Sequence, residues 1–132
     1  MTSPATPVPA RKKRILIAED DHDIAALLER VLKTDYEVLL ARDGMAAIAQ
    51  ANAQPSLDLL LLDVMMPGVD GVTVAQRVRE LAAHKKVPII FITAKDSPMD
   101  VVRGIQVGAR SYITKPFKLP DVLAKVKKAV GG

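Results

Sequence analysis

The stretch "DLLLLDVMMPGVDG", residues 58–71, decides the fold of this 132-residue chain. Its four consecutive leucines show no alternation of apolar and polar positions, which indicates a strand buried on both faces, as in a parallel sheet covered by helices. The run ends in Asp63, and a buried charge is costly unless it has a partner. We therefore predict that residues 58–63 form the third strand of a parallel sheet and that Asp63 belongs to a functional site.

Strands and helices alternate along the rest of the chain. Four more segments are predicted strands: Arg14–Glu19, Tyr36–Ala41, Pro88–Thr93 and Ser111–Thr114. Apolar residues three and four apart predict helices that begin near Ile24, Asp43, Asp70, Pro98 and Leu119, the third of them reaching Ala82. Successive β–α units imply helices on both faces of a parallel sheet, so we predict a doubly wound, flavodoxin-like α/β fold with strand order 2-1-3-4-5.

Composition narrows the class of protein. The chain is 49 % apolar and 26 % charged, which suits one globular domain, and it has no cysteine for a disulfide or a thiolate metal site. No apolar run approaches the ~18 residues of a membrane-spanning helix, and the N-terminus lacks the apolar segment of a secretory signal. We therefore expect a cytoplasmic protein without a membrane partner.

The positive net charge of +4 comes from one short segment, Arg11–Arg14. Outside it, 15 basic residues (19 minus 4) balance 15 acidic ones. Residues 1–10 contain three prolines with Ser and Thr, so we expect residues 1–13 to be a disordered, basic and Pro-rich tail before one domain at 14–130. No basic stripe with interleaved aromatic residues occurs elsewhere, and we expect no direct nucleic-acid binding.

Polar residues collect where the predicted strands end. Strand 1 runs into Glu19 and Asp20, strand 3 into Asp63, strand 4 into Thr93 and strand 5 into Lys115. In the predicted strand order these ends lie side by side, so the carboxylates converge. A divalent cation relieves their repulsion, and a ligand set of oxygen atoms favours Mg2+. A metal, an ammonium group, a hydroxyl and an acceptor carboxylate suit phosphoryl transfer, with Asp63 as the candidate nucleophile.

The chain from about residue 14 to 130 resembles a bacterial response-regulator receiver domain of two-component and phosphorelay signalling, similar to chemotaxis regulators. The resemblance rests on four motifs in order: "ILIAEDD", "DLLLLDVMMPGVDG", "IIFITA" and "YITKPF". Their spacing also matches, with 30 residues from Asp63 to Thr93 and 22 from Thr93 to Lys115. Each motif alone is weak, whereas all four at these spacings are specific.

The resemblance implies a phosphorylation-dependent switch. Asp63 would accept a phosphoryl group from the phosphohistidine of a histidine kinase, or from a phosphotransfer protein. Glu19, Asp20, Asp63 and the backbone carbonyl of Met65 would hold Mg2+. The phosphoryl group would then change the surface that a downstream protein reads.

The resemblance also implies how the phosphoryl group is sensed. The Thr93 hydroxyl and the Ala94 amide would bind phosphoryl oxygens, and Lys115 would pair with the phosphoryl charge. Thr93 and Tyr112 would form the switch, with the Tyr112 ring moving inward as Thr93 is drawn to the phosphate. The Lys115–Pro116 peptide bond is expected to be cis.

An enzyme on a similar sheet is the main alternative. An aspartyl-phosphate phosphohydrolase needs a second carboxylate two residues after its nucleophile as general acid and base, and that position here is Met65. A flavin-binding module would need a phosphate-binding loop after strand 1, where the acidic "EDDHD" stands. We therefore expect a signalling domain with no enzymatic activity beyond its own phosphorylation and dephosphorylation.

Several residues carry further expectations. Met65 cannot hydrogen-bond an attacking water, which predicts slow loss of the phosphoryl group. Arg110 and Ser111 stand where winged-helix transcription regulators usually have two acids, so the charged dimer face of that branch is in doubt. Asp21 could join the acidic cluster or cap the first helix. His84, beside two lysines, is expected to be a helix-end charge.

Partners and assembly follow from the resemblance. The kinase would dock on the first helix and on Pro116–Lys118, and downstream partners would read residues 97–129 around Tyr112. We expect a monomer or weak dimer, acting either as a single-domain regulator or as the receiver part of a longer one.

Overall fold

The computed structural model describes residues 11–94 and 98–131, with backbone alone for residues 98–100. Most of the predicted tail, residues 1–10, lies outside this description, and residues 11–13 have no regular secondary structure. The strands are β1 (Arg14–Ala18), β2 (Glu37–Ala41), β3 (Leu59–Asp63), β4 (Ile89–Ala94) and β5 (Ser111–Lys115). The helices are α1 (His22–Leu32), α2 (Gly44–Ala53), α3 (Gly71–Arg79), α4 (Pro98–Gln106) and α5 (Leu119–Ala129).

The sheet is parallel throughout, and its strand order is β2-β1-β3-β4-β5. This confirms the predicted doubly wound fold, and each strand bound lies within one residue of its predicted position. All five residues of β3 are buried, as the unbroken leucine run required. Because β3 lies between β1 and β4, Asp63 comes to the middle of one edge of the sheet.

Two hydrophobic cores fill the two faces of the sheet. On the first face, Leu16, Leu60 and Leu62 pack with side chains of α2 and α3. On the second, Ile17 and Leu61 pack with side chains of α1 and α5. Neighbouring residues of one strand point to opposite faces, so each strand contributes to both cores.

Aspartates begin three of the helices at the edge where the strands end. The side chains of Asp21, Asp43 and Asp70 accept hydrogen bonds from backbone N–H groups in the first turns of α1, α2 and α3. Such caps satisfy donors that have no partner inside the helix. Of the two roles open to Asp21, capping is therefore the one the structure shows.

The chain after α3 departs from the predictions. The third helix ends at Arg79, short of the predicted Ala82, and a 3-10 turn follows at Ala82–His84. That turn brings the His84 ring against the end of α2, where Nε2 donates to the carbonyl of Ala51 at 2.8 Å. His84 thus lies at the end of a helical turn, as predicted, but its side chain is buried, with only 2 % of the residue exposed.

Candidate functional site

Three side chains from three strands meet at the centre of the sheet edge. The ammonium group of Lys115, at the end of β5, lies 3.3 Å from Oδ2 of Asp63 and 3.1 Å from Oε1 of Glu19. Glu19 directly follows β1, and Asp63 ends β3. Residues separated by up to 96 positions in sequence are thus within hydrogen-bonding range, as the strand order predicted.

Burial makes these charges unusual. Glu19 is 0 % and Asp63 3 % exposed. Burial, followed by the hydrogen bond and the negative charge of Glu19, raises the pKa of Asp63 to about 8, against the opposing effect of Lys115. Burial disfavours the charged form of Lys115 too, but the attraction of Asp63 and Glu19 outweighs it and raises the pKa of that amine. One ammonium group therefore does not neutralise the two carboxylates.

The same cluster has the features of a cation site. Carboxylate oxygens of Glu19, Asp20 and Asp63 all lie within 4.8 Å of one another. The Oε1 atom of Glu19 is buried and accepts no hydrogen bond from the described residues, although Lys115 faces it as an ion pair. Asp20 is exposed, so the cluster opens to solvent. Hard carboxylate oxygens, one of them lacking a donor, with a solvent-facing side, fit Mg2+ with part of its water shell.

The backbone after Asp63 folds back onto that carboxylate. The amide of Met65 donates to Oδ1 of Asp63 at 3.2 Å, while the Met65 side chain is 63 % exposed. Thr93, at the end of β4, is 3 % exposed and pairs in register with Thr114, while Ala94 beside it is exposed. These positions place Thr93 and Ala94 on the strand next to Asp63.

Tyr112 lies against the first core. Its ring stacks on Phe91 with centroids 6.1 Å apart, and its hydroxyl donates to the carbonyl of Val101 in α4 at 2.8 Å. A Cβ atom at Gly104 would lie 2.6 Å from the Tyr112 hydroxyl and 2.9 Å from the Phe91 ring. Gly104 therefore makes room for the Tyr112 ring. This role was not predicted, because the only hint in the sequence was a glycine in the interior of a predicted helix.

Two further residues near the site were also missed. A side chain at Gly71 would collide with the backbone carbonyl of Asp63, so a glycine here lets α3 start directly beside the phosphoacceptor candidate. Asp70 forms an ion pair with Arg103 of α4 at 3.0 Å, which links the loop after β3 to that helix. Burial opposes ionisation of Asp70, but the Thr73 hydrogen bond and Arg103 outweigh it and lower its pKa. In the sequence, an aspartate followed by a glycine indicates the start of a helix. That pattern predicts neither the close approach of Gly71 to Asp63 nor the ion pair of Asp70 with Arg103.

The Lys115–Pro116 bond is cis, and the loop that follows carries an apolar hollow. Ile24 of α1, Pro116 and Phe117 line the hollow together with Lys115. Pro116 is exposed, and Phe117 and Ile24 are half-buried. An accessible apolar surface therefore adjoins the carboxylate cluster.

Comparisons with known proteins agree with this geometry. The family model for the response regulator receiver domain matches residues 15–127. The uncharacterized transcriptional regulatory protein YrkP of Bacillus subtilis is 45 % identical over 114 residues, covering 86 % of this chain and 47 % of that protein. The regulatory protein VanR of Enterococcus faecium is 36 % identical over 118 residues, covering 86 % of this chain and 48 % of VanR. The chain thus spans about half the length of these relatives.

Solved structures match along most of the chain. The receiver domain of the sensor histidine kinase PA1611 from Pseudomonas aeruginosa, solved with a magnesium ion in its active-site cleft, superposes with a TM-score of 0.82 at 30 % identity, covering 92 % of this chain and 99 % of that one. The chemotaxis protein CheY4 of Vibrio cholerae gives a TM-score of 0.83 at 29 % identity, covering 89 % and 98 %. In the described part of the chain, no helix has the length and apolar character needed to cross a bilayer.

Proposed function

We propose, from the premise that this chain belongs to the response regulator receiver domain family, that it is a switch whose Asp63 accepts a phosphoryl group from a phosphohistidine. Receiver domains of this family are signalling domains of two-component systems. The observation that carries the proposal is the meeting of Asp63, Glu19 and Lys115 at one edge of the sheet.

The transfer step follows from the position of Asp63. A carboxylate oxygen of Asp63 forms a bond to phosphorus as the bond from phosphorus to the donor imidazole nitrogen breaks, and that nitrogen keeps the bonding electron pair and is neutralised by a proton. The β3 backbone holds Asp63 at the centre of the edge, so little orientational freedom is lost when the donor arrives. Lys115 supports the charge of the phosphoryl oxygens at the same place.

Glu19, Asp20 and Asp63 would hold Mg2+, with the backbone carbonyl of Met65 as a further ligand. Bound there, the ion would neutralise carboxylates and phosphoryl oxygens that otherwise repel one another. The buried Oε1 atom of Glu19, which accepts no hydrogen bond from the described residues and has only the ion pair with Lys115, supports this assignment.

Phosphorylation would be read through Thr93 and Tyr112. In this role the Thr93 hydroxyl and the Ala94 amide bind phosphoryl oxygens, and phosphorylation stabilises the position beside Gly104 and Phe91 that the Tyr112 ring also occupies in this structure. The tyrosine hydroxyl bonds α4 through Val101, so a change at Thr93 reaches the outer surface of that helix. Lys95, two residues beyond Thr93, lies outside the described residues.

The donor would dock beside Asp63. The hollow lined by Ile24, Pro116 and Phe117 offers an apolar contact next to Lys115, which suits a helix of a histidine kinase or phosphotransfer protein. A downstream protein would read residues 97–129 around Tyr112, of which residue 97 lies outside the described residues and residues 98–100 are described by their backbone alone. A phosphohydrolase activity is not proposed, because the exposed Met65 thioether cannot act as a general acid or base.

The test is phosphorylation by a small donor. The full chain is incubated with acetyl phosphate, or with beryllofluoride, with and without Mg2+, and the adduct is followed by intact mass and by NMR. We expect a Mg2+-dependent adduct of one phosphoryl group in the wild type and none in Asp63→Asn. Asp35→Asn, which removes an exposed carboxylate before β2, serves as the matched control and should behave as wild type. No Mg2+-dependent adduct or spectral change in the wild type would overturn the proposal.

A further inference from the structure

A concave pocket lies at the other end of β5 from Lys115. It has a volume of about 330 Å3 and opens between the start of β5 and the last turns of α5. Its lining residues are Arg110, Ser111, Lys125, Lys128 and Ala129. Three of these side chains are cationic and none is acidic, so the pocket, which we call the Arg110 pocket, has a strongly positive lining.

Two of its charges are not neutralised. Within residues 11–94 and 98–131, no carboxylate forms an ion pair with Arg110 or Lys128, and both residues are exposed. Lys125, in contrast, is held in place: its ammonium group lies 3.2 Å from Oδ2 of Asp121 and donates to the carbonyl of Tyr112 at 2.9 Å. The pocket therefore has one fixed and two unpaired cations.

A neighbouring arginine adds to the positive potential. The Arg79 guanidinium donates to the carbonyls of Val107, Lys85 and Gly108, which fixes it at the loop before β5. Burial, and next the charge of Arg110, lower the pKa of Arg79. Arg79 and Arg110 thus repel each other, and an anion near Arg110 would relieve that repulsion.

The pocket also contains an unused donor. The Ser111 hydroxyl is buried and has no hydrogen-bond partner among the described residues. A buried polar group without a partner costs free energy, and such groups in native structures usually have a ligand or water as partner. An oxygen atom that enters the pocket could accept hydrogen bonds from the two unpaired cations that lie beside this residue.

We propose that the Arg110 pocket binds the carboxylate side chains of an acidic segment in a partner protein. Arginine pairs with carboxylates through two parallel hydrogen bonds, and a concave pocket of about 330 Å3 has room for more than one such group. No aromatic ring lines the pocket, so bases of a nucleic acid would find nothing to stack on. This surface is separate from the phosphoacceptor cluster, and its binding requires no phosphorylation.

The experiment titrates the 15N-labelled, unphosphorylated full chain with a blocked peptide, Gly-Glu-Glu-Leu-Glu-Glu-Gly, and with the same peptide carrying Gln for each Glu. We expect saturable shifts at the amides of Arg110, Ser111 and Lys128 with the acidic peptide alone. Ser111→Asp fills the pocket with its own carboxylate and should weaken binding at least tenfold.

Two double variants with equal changes in net charge separate the pocket from general attraction. Arg110→Glu with Lys128→Glu should abolish binding, whereas Lys33→Glu with Lys86→Glu, both exposed and outside the pocket, should change affinity less than threefold. Thermal melts establish that each variant is folded. If the double variant with Arg110→Glu and Lys128→Glu is not folded, the expected loss of binding in Ser111→Asp tests the proposal instead.

Each contrary result overturns the proposal. Equal losses in both double variants would show that only net charge is sensed. Shifts centred on another surface would place the contact elsewhere. Saturation by inorganic phosphate without any effect of the peptide would make the pocket a small-anion site, and tighter binding of a single-stranded oligonucleotide of equal charge would identify a nucleic-acid surface. None of these results bears on Asp63.

Discussion

The two ends of the sheet differ in what they do with charge. At the carboxyl ends of the strands, Glu19 and Asp63 are buried together with Thr93, and the two carboxylates share one lysine. At the amino ends, Arg110 and Lys12 are exposed to solvent. The charges at both ends also complement the helix dipoles, because aspartate caps lie at the helix starts and basic residues such as Lys128 lie in the last turns.

The difference shows which charges the fold requires and which it merely tolerates. Exposed charges at helix ends stabilise a protein slightly and are easily replaced. Two buried carboxylates next to each other cost free energy that a stable fold alone would not retain. The carboxyl end of the sheet therefore keeps buried charges that reduce the stability of the fold.

The largest expected effect is that of Lys115→Met. Removing the ammonium group leaves Glu19 and Asp63 buried without a cation, and we expect a loss of about 3 kcal/mol in the free energy of unfolding at pH 8 without Mg2+. Lys12→Met, which removes an exposed lysine at the amino end, should change it by about 0.5 kcal/mol or less. Urea denaturation measures both, and equal effects would remove the contrast between the ends.

The next effect is a dependence of stability on pH. Because the pKa of Asp63 is raised to about 8, the folded state binds more protons than the unfolded state between the usual carboxyl range and pH 8. Stability should therefore fall as pH rises from 4.5 towards 8, by about 2 kcal/mol between pH 6.5 and 8 alone. The raised pKa of Lys115 acts only at higher pH, where its stabilising contribution would be lost as the amine deprotonates.

Two controls accompany the pH series. Asp63→Asn has no carboxyl group to titrate and should show a much smaller fall. Saturating Mg2+ should also flatten the curve, because the ion binds deprotonated carboxylates. A wild-type curve that rises from pH 4.5 to 8 would show that the carboxyl group is not destabilised by its surroundings.

A third effect concerns how long the phosphoryl group persists. The Met65 side chain is exposed two residues after Asp63 and cannot hydrogen-bond a water molecule usefully. We expect a half-life of minutes or longer, and Met65→Asn should shorten it about tenfold, equivalent to ~1.4 kcal/mol. Met45→Asn, on another exposed methionine, is the control. A wild-type half-life of seconds would contradict the expectation.

The smallest effect is that of Gly104→Ala. Alanine favours a helix over glycine by up to about 1 kcal/mol, so a simple helix position would gain stability. Here the added Cβ meets the Tyr112 hydroxyl and the Phe91 ring, and we expect a net loss of about 1 kcal/mol with displacement of the tyrosine ring, seen in its NMR signals. In a Tyr112→Ala background the same change should be less harmful, and an unchanged penalty there would exclude the steric explanation.

The sequence predicted the fold because its central strands leave no ambiguity. The leucine run of β3 and the apolar run of β4 can only be buried on both faces, and that requirement favours a parallel sheet. The end of α3 was harder to place, since the apolar pattern continues through Leu81 and Ala82 into the 3-10 turn. The burial of His84 was not predicted, because its local neighbours, two lysines, say nothing of the distant Ala51 carbonyl that accepts its hydrogen bond.

The part of the candidate site that is formed by residues at the strand ends could be predicted from the sequence. Strand order and the polar residue after each strand were enough to bring Glu19, Asp63 and Lys115 together. The roles of Gly71 and Gly104 were not, because each depends on what approaches the glycine from another element. The ion pair of Asp70 with Arg103 likewise joins residues whose spacing carries no pattern.

The division of the interior into two cores has a consequence for how such a protein can diversify. Ile24 and Phe117, which flank the proposed donor-docking hollow, pack on the second core, whereas Tyr112 packs on the first. The sheet stands between them as a partition. Substitutions in the second core that change which donor is bound therefore have little effect on the first core and on the surface near Tyr112. The proposed donor contact and the proposed output contact can thus change independently in evolution.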